Sequence, residues 1–228
     1  MQEASVFKGT AIYQQITELD SVYTGIEDEQ TEWKKVTPFH CPSGCGSCCV
    51  DFEPDVMEVE ALYLAAWMLH HQKERALSIL DGSFVSPRPD PDSGCAFFDP
   101  ESPYHCTVYG GRALICRLFG YTGDRGKDGL GRWKPCKFLP ENAEDGGEHR
   151  KRQYSSAELQ ERFGATPPLM SDITARAIAI DPGTAGKRYP LMEALAIALR
   201  RLQLALRFLD APPEPDSPAP DFPRPRAV

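Results

Sequence analysis

Apolar residues recur at helical intervals over five stretches of the chain and lose that rhythm between them. Val6, Ile12, Ile16 and Leu19 lie roughly on one face, which predicts a short N-terminal helical arm followed by a polar connection to Trp33. In residues 54–80, Val56, Val59, Leu62, Tyr63, Ala66, Trp67 and Leu69 follow the i, i+3, i+4 spacing of an amphipathic helix. Pro54 would sit in its first turn, where a missing amide costs little. Met57 and Trp67 read as core, and His70 and His71 as a solvated pair at the polar end. Ser155 and Glu158 resemble a capping box and Gly164 a helix stop. Two further helices are predicted over residues 169–180 and 191–209. The last is nearly apolar but interrupted by Arg200, Arg201 and Arg207, which suits a cover for a core and not a membrane span.

Between these stretches the chain is irregular. Residues 86–93 form a Pro/Asp-rich loop. Residues 95–99 and 104–109 read as two short strands around a turn at 99–103, which would bring Cys95 and Cys106 close across a hairpin. Residues 112–119 fit a short helical turn carrying Cys116, and Cys136 follows a Gly-rich loop at 123–131. The expected fold is therefore α+β, mainly helical, with a small β-hairpin and a cysteine-rich metal-binding core. Four units are expected: an arm over 1–40, a cysteine-cluster domain over 41–140, a helical cover over 141–210 that opens with a charged connector, and a Pro-rich tail over 211–228. The tail has too little apolar surface to offset its ordering entropy.

Chemistry concentrates in one place. Four of the eight cysteines, Cys41, Cys45, Cys48 and Cys49, fall within nine residues; Cys95, Cys106, Cys116 and Cys136 complete the set. Gly44 and Gly46 would permit positive-φ turns that curl several thiolates around one centre and aim backbone amides at sulfur. Buried core cysteine does not explain four in nine positions beside Pro, Ser and Gly. No basic segment followed by an apolar one opens the chain, so a reducing cytoplasmic setting is expected, where clustered cysteines bind metal more often than they form disulfides. Cys41, Cys45 and Cys48 have the spacing at which a loop caps three corners of an iron–sulfur cluster. Vicinal side chains usually diverge, so Cys49 is expected to face a second metal or join the downstream ligands. Arg112 and Arg117 flank Cys116 and would offset cluster charge as cofactor-binding residues, or serve as surface ion pairs. His40 and His105 sit beside cysteines as ligands or solvated loop residues. Asp51, Glu53 and Asp55 would add oxygen ligands or favourable charge at a helix start.

The 228 residues carry a net charge of −8. Neither a nucleic acid nor an anionic membrane is the expected partner, because both need a basic surface; an unspecified protein or redox partner is. No phosphate-binding loop or dinucleotide fingerprint occurs. Radical-SAM chemistry shares the Cys-x3-Cys-x2-Cys spacing, but residues 31–40 make a poor buried strand and no alternation of strands and helices follows.

The residues now in view resemble the YkgJ-like cysteine-cluster family, the CxxCxxCC zinc- or iron-chelating domain. The counterpart of its signature is Cys41, Cys45, Cys48 and Cys49. The second half matches as Cys95 with Phe97 and Phe98, then Cys106 with Val108 and Tyr109, then Arg112, Cys116, Arg117 and Phe119. Two departures stand out: the first gap is three residues long, and Ala113 replaces a proline. The resemblance implies a chelating domain of mixed helices and small strands. It leaves the enzyme question open, since a related domain occurs in proteins resembling flagellin lysine N-methylases. Three functions remain on the sequence: an iron–sulfur protein, with all eight cysteines as candidate ligands and a redox role; a zinc-stabilised interaction module; and a cluster-dependent enzyme.

Overall fold

The computed structural model describes residues 4–41, 44–90, 93–137, 152–184 and 186–209. The expected tail and residues 141–151 of the expected connector lie outside them. Seven α-helices are present among the described residues: α1 (Ala11–Val36), α2 (Glu58–His71), α3 (Lys73–Asp81), α4 (Leu114–Leu118), α5 (Ser156–Phe163), α6 (Met170–Ile178) and α7 (Leu191–Leu209). The strands are short: β1 (Asp55–Val56), β2 (Asp124–Arg125), β3 (Gly131–Trp133), β4 (Tyr154–Ser155) and β5 (Tyr189–Pro190).

The N-terminal helix is far longer than the expected arm. Its buried residues are Ile12, Ile16, Leu19, Tyr23, Ile26, Gln30 and Trp33, an alternation of four and three that holds one face for the whole length. The supposed polar connection is the exposed side of that same helix. Gln30 occupies a core position because its side-chain amide donates to the Arg117 carbonyl at 2.8 Å, so burying it leaves no donor unpaired. Thr10 caps the start by accepting from the Tyr13 amide. Val6, placed by its spacing on the same face, is instead half exposed.

Residues 54–80 also depart from the single helix expected. Pro54 precedes the helical region, and Val56 belongs to β1, paired antiparallel with β5. The helix then breaks at Gln72, whose side chain donates to the Thr107 carbonyl at 2.5 Å. α2 is the central element. It is buried around most of its circumference and packs against α1, α3 and most extensively α7. Glu60, 2% exposed, accepts from the amides of Met57 (2.8 Å) and Leu114 (2.7 Å). Burial pushes its pKa up while those two amides act to lower it. Arg201 of α7 pairs with Glu58, tying the exposed rims of the two helices together.

The capping box at Ser155–Glu158 and the left-handed stop at Gly164 form as predicted. The expected hairpin between 95 and 109 is reduced to a turn with one antiparallel bridge, Phe98 to Cys106. Two small sheets lie elsewhere, β1–β5 and β2–β3–β4, with the Gly-rich loop serving as the β2–β3 hairpin. Two hydrophobic clusters result. The large one joins α1, α2, α4, α6 and α7 and includes Phe97 and Val108; the small one gathers Trp33, Phe39, Trp133, Tyr154 and Leu159. No helix among the described residues is long and apolar enough to cross a membrane.

Candidate metal centre

The cysteine loop is pressed against the turn at 102–106, and its glycines permit that approach. Gly44 has φ +71°, and a Cβ there would lie 2.5 Å from the Pro103 carbonyl oxygen. Gly46 has no positive φ, contrary to expectation; its role is space, since a Cβ would fall 2.2 Å from the His105 Cβ. His105 itself adopts φ +51°, an uncommon conformation outside glycine and one that marks how tightly this turn is held. Ser47–Cys49 then form a 3-10 turn. The loop's first ligand candidate, Cys41, donates its amide to the Tyr121 hydroxyl at 2.6 Å.

The remaining thiols come from separate elements. Cys95 and Cys106 each receive a backbone hydrogen bond from two residues on, Phe97 and Val108, which favours the thiolate. Cys116 rides on α4, whose first amide is the one held by Glu60. Cys136 follows β3 and packs against the small Trp33–Trp133 cluster. All eight cysteines are free thiols.

Seven of them (all but Cys136) line one cavity of 160 Å³, walled by Phe52, Phe97, Phe98 and Phe119 and rimmed by Tyr104, Tyr109, Lys34 and Arg112. Tyr104 and Tyr109 stack at 4.4 Å, and the Arg112 guanidinium lies 3.8 Å over the Tyr109 ring. Among the described residues, no three His, Cys, Asp or Glu side chains converge tightly enough to form a closed metal shell. The thiols surround a space instead of meeting at a point.

The vicinal pair departs from the divergence expected of it. Cys48 and Cys49 place their sulfurs 3.9 Å apart, sharing a hydrogen bond. That bond pushes Cys48 down to about 7 and Cys49 up. Burial pushes the Cys95 thiol up to about 11 and Cys41 up to about 12, and raises Cys106 and Cys116 as well. Cys45 is lowered by its bond to Ser47. Most of these sulfurs therefore hold protons in this apolar setting until a cation supplies compensating charge, and metal binding would release them.

Of the two flanking arginines, Arg112 lines the cavity and its charge lowers the pKa of both Cys48 and Cys106. The Arg117 side chain is not among the lining residues. It donates to the carbonyls of Arg112 (3.1 Å) and Gly110 (2.7 Å), pairs with Glu27 and stacks 4.0 Å over Tyr23. Asp51, Glu53 and Asp55 stay out of the thiol cavity; Glu58 and Glu60 supply the acidic first turn of α2. His40 is exposed, whereas His105 lines the cavity. Sequence reasoning passed over Lys34, Tyr104 and Tyr121, which carry no motif of their own.

A family model described as "CxxCxxCC: Putative zinc- or iron-chelating domain" matches residues 40–156, just over half of the chain and every cysteine in it. The chain belongs to this CxxCxxCC family. No curated protein and no solved structure matches. The donor set agrees with the family's description: thiolates are soft ligands suited to zinc and to iron–sulfur centres, and among the described residues no carboxylate lines the cavity.

Proposed function

We propose that this CxxCxxCC protein holds an iron–sulfur cluster in the thiol-lined cavity and serves electron transfer with a protein partner in a reducing, cytoplasmic setting. One observation carries the reading. A space of 160 Å³ surrounded by seven thiols and walled by four phenylalanines is larger than a single ion needs; one water molecule requires about 10–15 Å³ of such space. A bound cluster would supply reversible one-electron chemistry, tuned by hydrogen bonds to sulfur and by exclusion of water. The chain's own residues provide both controls. The Phe97 and Val108 backbones bond to sulfur, the phenylalanines exclude solvent, and Arg112 and Lys34 offset thiolate charge at the rim.

The test is anaerobic purification with iron, acid-labile sulfide and zinc analysis. Iron and sulfide in equal amounts, with broad visible absorption that bleaches in air, are expected. Colourless protein carrying only zinc after iron-replete expression would overturn the iron reading. A zinc-only reading draws on the 3.9 Å between Cys48 and Cys49: tetrahedral bonds of 2.3 Å give a sulfur–sulfur edge of about 3.8 Å, so the pair would fit one ion.

A further inference from the structure

We propose that the eight thiols serve two metals, and that Cys41, Cys45, Cys48 and Cys136 form a mononuclear four-thiolate site beside the larger cavity. This rests on the metal-binding reading above and adds to it a second centre with its own ligands. A separate, smaller cavity of 30 Å³ is lined by these four cysteines, with Phe39, Phe119 and Tyr121 as its walls. Cys49, Cys95, Cys106 and Cys116 do not line it. Its volume is about a fifth of the larger cavity's, a space suited to a single ion. Four thiolates would complete the tetrahedral shell of an ion by drawing in from the cavity walls, since no three of them converge as they stand.

A further observation points the same way: Cys95, Cys106 and Cys116 pack against the large hydrophobic cluster, whereas Cys136 packs against the small one. Cys41, Cys45 and Cys48 line both cavities and mark where the two centres would adjoin. The extra residue in the first gap of the motif and the remote Cys136 thus acquire a common purpose. An ion held here would tie the cysteine loop, anchored through the Cys41 amide on Tyr121, to the end of β3. Lys34, 4.1 Å over the Tyr121 ring and interacting with Cys41, would offset the excess negative charge.

Full-length protein purified without oxygen should contain one metal ion per chain beyond whatever fills the larger cavity. Cys136→Ser should lose that single equivalent and keep the acid-labile sulfide content of the parent. Cys95→Ser should do the reverse, losing the larger centre and keeping one ion. A Cys136→Ser protein with unchanged metal content, or one that loses both centres in proportion while remaining folded by circular dichroism, would overturn the two-site assignment. A parent that binds no metal at all would instead sink the metal reading itself, and the proposal with it. Should Cys136→Ser not fold, the parent decides: cobalt(II) added to one equivalent should give the intense visible bands of a tetrahedral four-thiolate ion. X-ray absorption should then find four sulfurs at about 2.3 Å and no neighbouring metal. A mixed oxygen–sulfur shell or a metal–metal vector would overturn the site.

Discussion

In the α1–α2–α7 layer, Ile16, Leu19, Ile26, Leu62, Leu195 and Leu199 are fully buried, and the helices run 14 to 26 residues. In segments 44–54 and 93–137, which carry seven of the eight cysteines, the longest regular element is the five-residue α4. The other regular features are 3-10 turns, two isolated bridges and strands of two or three residues. The first region closes on itself by removing apolar area from water, worth roughly 25 cal/mol per Å². The second also buries Phe97, Val108, Leu114, Leu118 and Trp133, but it lines a cavity with thiols, so it is the region that a metal held by those thiols would support most. The difference explains why one region is written in periodic hydrophobic residues and the other in cysteine and glycine.

The largest effect should follow from withdrawing metal. Structural zinc in small sites contributes about 10–16 kcal/mol, so chelation under reducing conditions should collapse amide-exchange protection across residues 93–137. The amides of α2 and α7 should stay protected. Equal loss in both regions would abolish the distinction. Cys116→Ser should lower metal content and melting temperature together, for the same reason.

Leu195→Ala probes the other side. Leu195 is fully buried where α7 meets α2, and truncation should cost about 2–5 kcal/mol while metal per folded chain stays at the parent value. Glu60→Gln tests the join between the regions, since its carboxylate holds both the start of α2 and the α4 amide ahead of Cys116. Turning an amide group toward one of those donors should cost about 1–3 kcal/mol and weaken metal affinity in the same variant. Loss of stability with unchanged affinity would show that α4 is held by packing alone.

The smallest effect lies at the α5 cap. Glu158 accepts from the Ser155 backbone and from Arg152, which holds its carboxyl down to about 2. Because the folded value is depressed, its contribution is present above the ordinary glutamate pKa of 4.5 and is lost as pH falls from there towards 2. Glu158→Gln should flatten the acid limb of the stability curve within that window and change nothing at neutral pH that depends on metal. Ser155→Ala should cost about 1 kcal/mol, measured by denaturant unfolding.

Reading the chain without its structure recovered the α5 cap, the helices near 169–180 and 191–209, and the thiol motif. It stopped α1 too early because Gln30 and the polar residues around it resemble a linker. The stripe through Tyr23, Ile26 and Trp33 continues unbroken once Gln30 is known to pair with the Arg117 carbonyl. It ran residues 54–80 together because the Gln72 break depends on a partner at Thr107, 35 positions away. The close approach of Gly46 to His105 across 59 positions is likewise invisible to local pattern.

The sequence by itself determined that this protein has amphipathic helices around a core and a dense set of thiols suited to metal. Both are local properties, one set by a repeat of 3.6 residues and the other by ligand chemistry at short spacing. Only the tertiary structure decided which sulfurs share a space: Cys136 lines a small cavity with Cys41, Cys45 and Cys48, and those three also share the larger one with Cys49, Cys95, Cys106 and Cys116. That grouping depends on loops meeting across up to 95 positions, through contacts such as Gly44 on Pro103 and Phe39 on Trp133. Such contacts follow no period, so no local pattern encodes them.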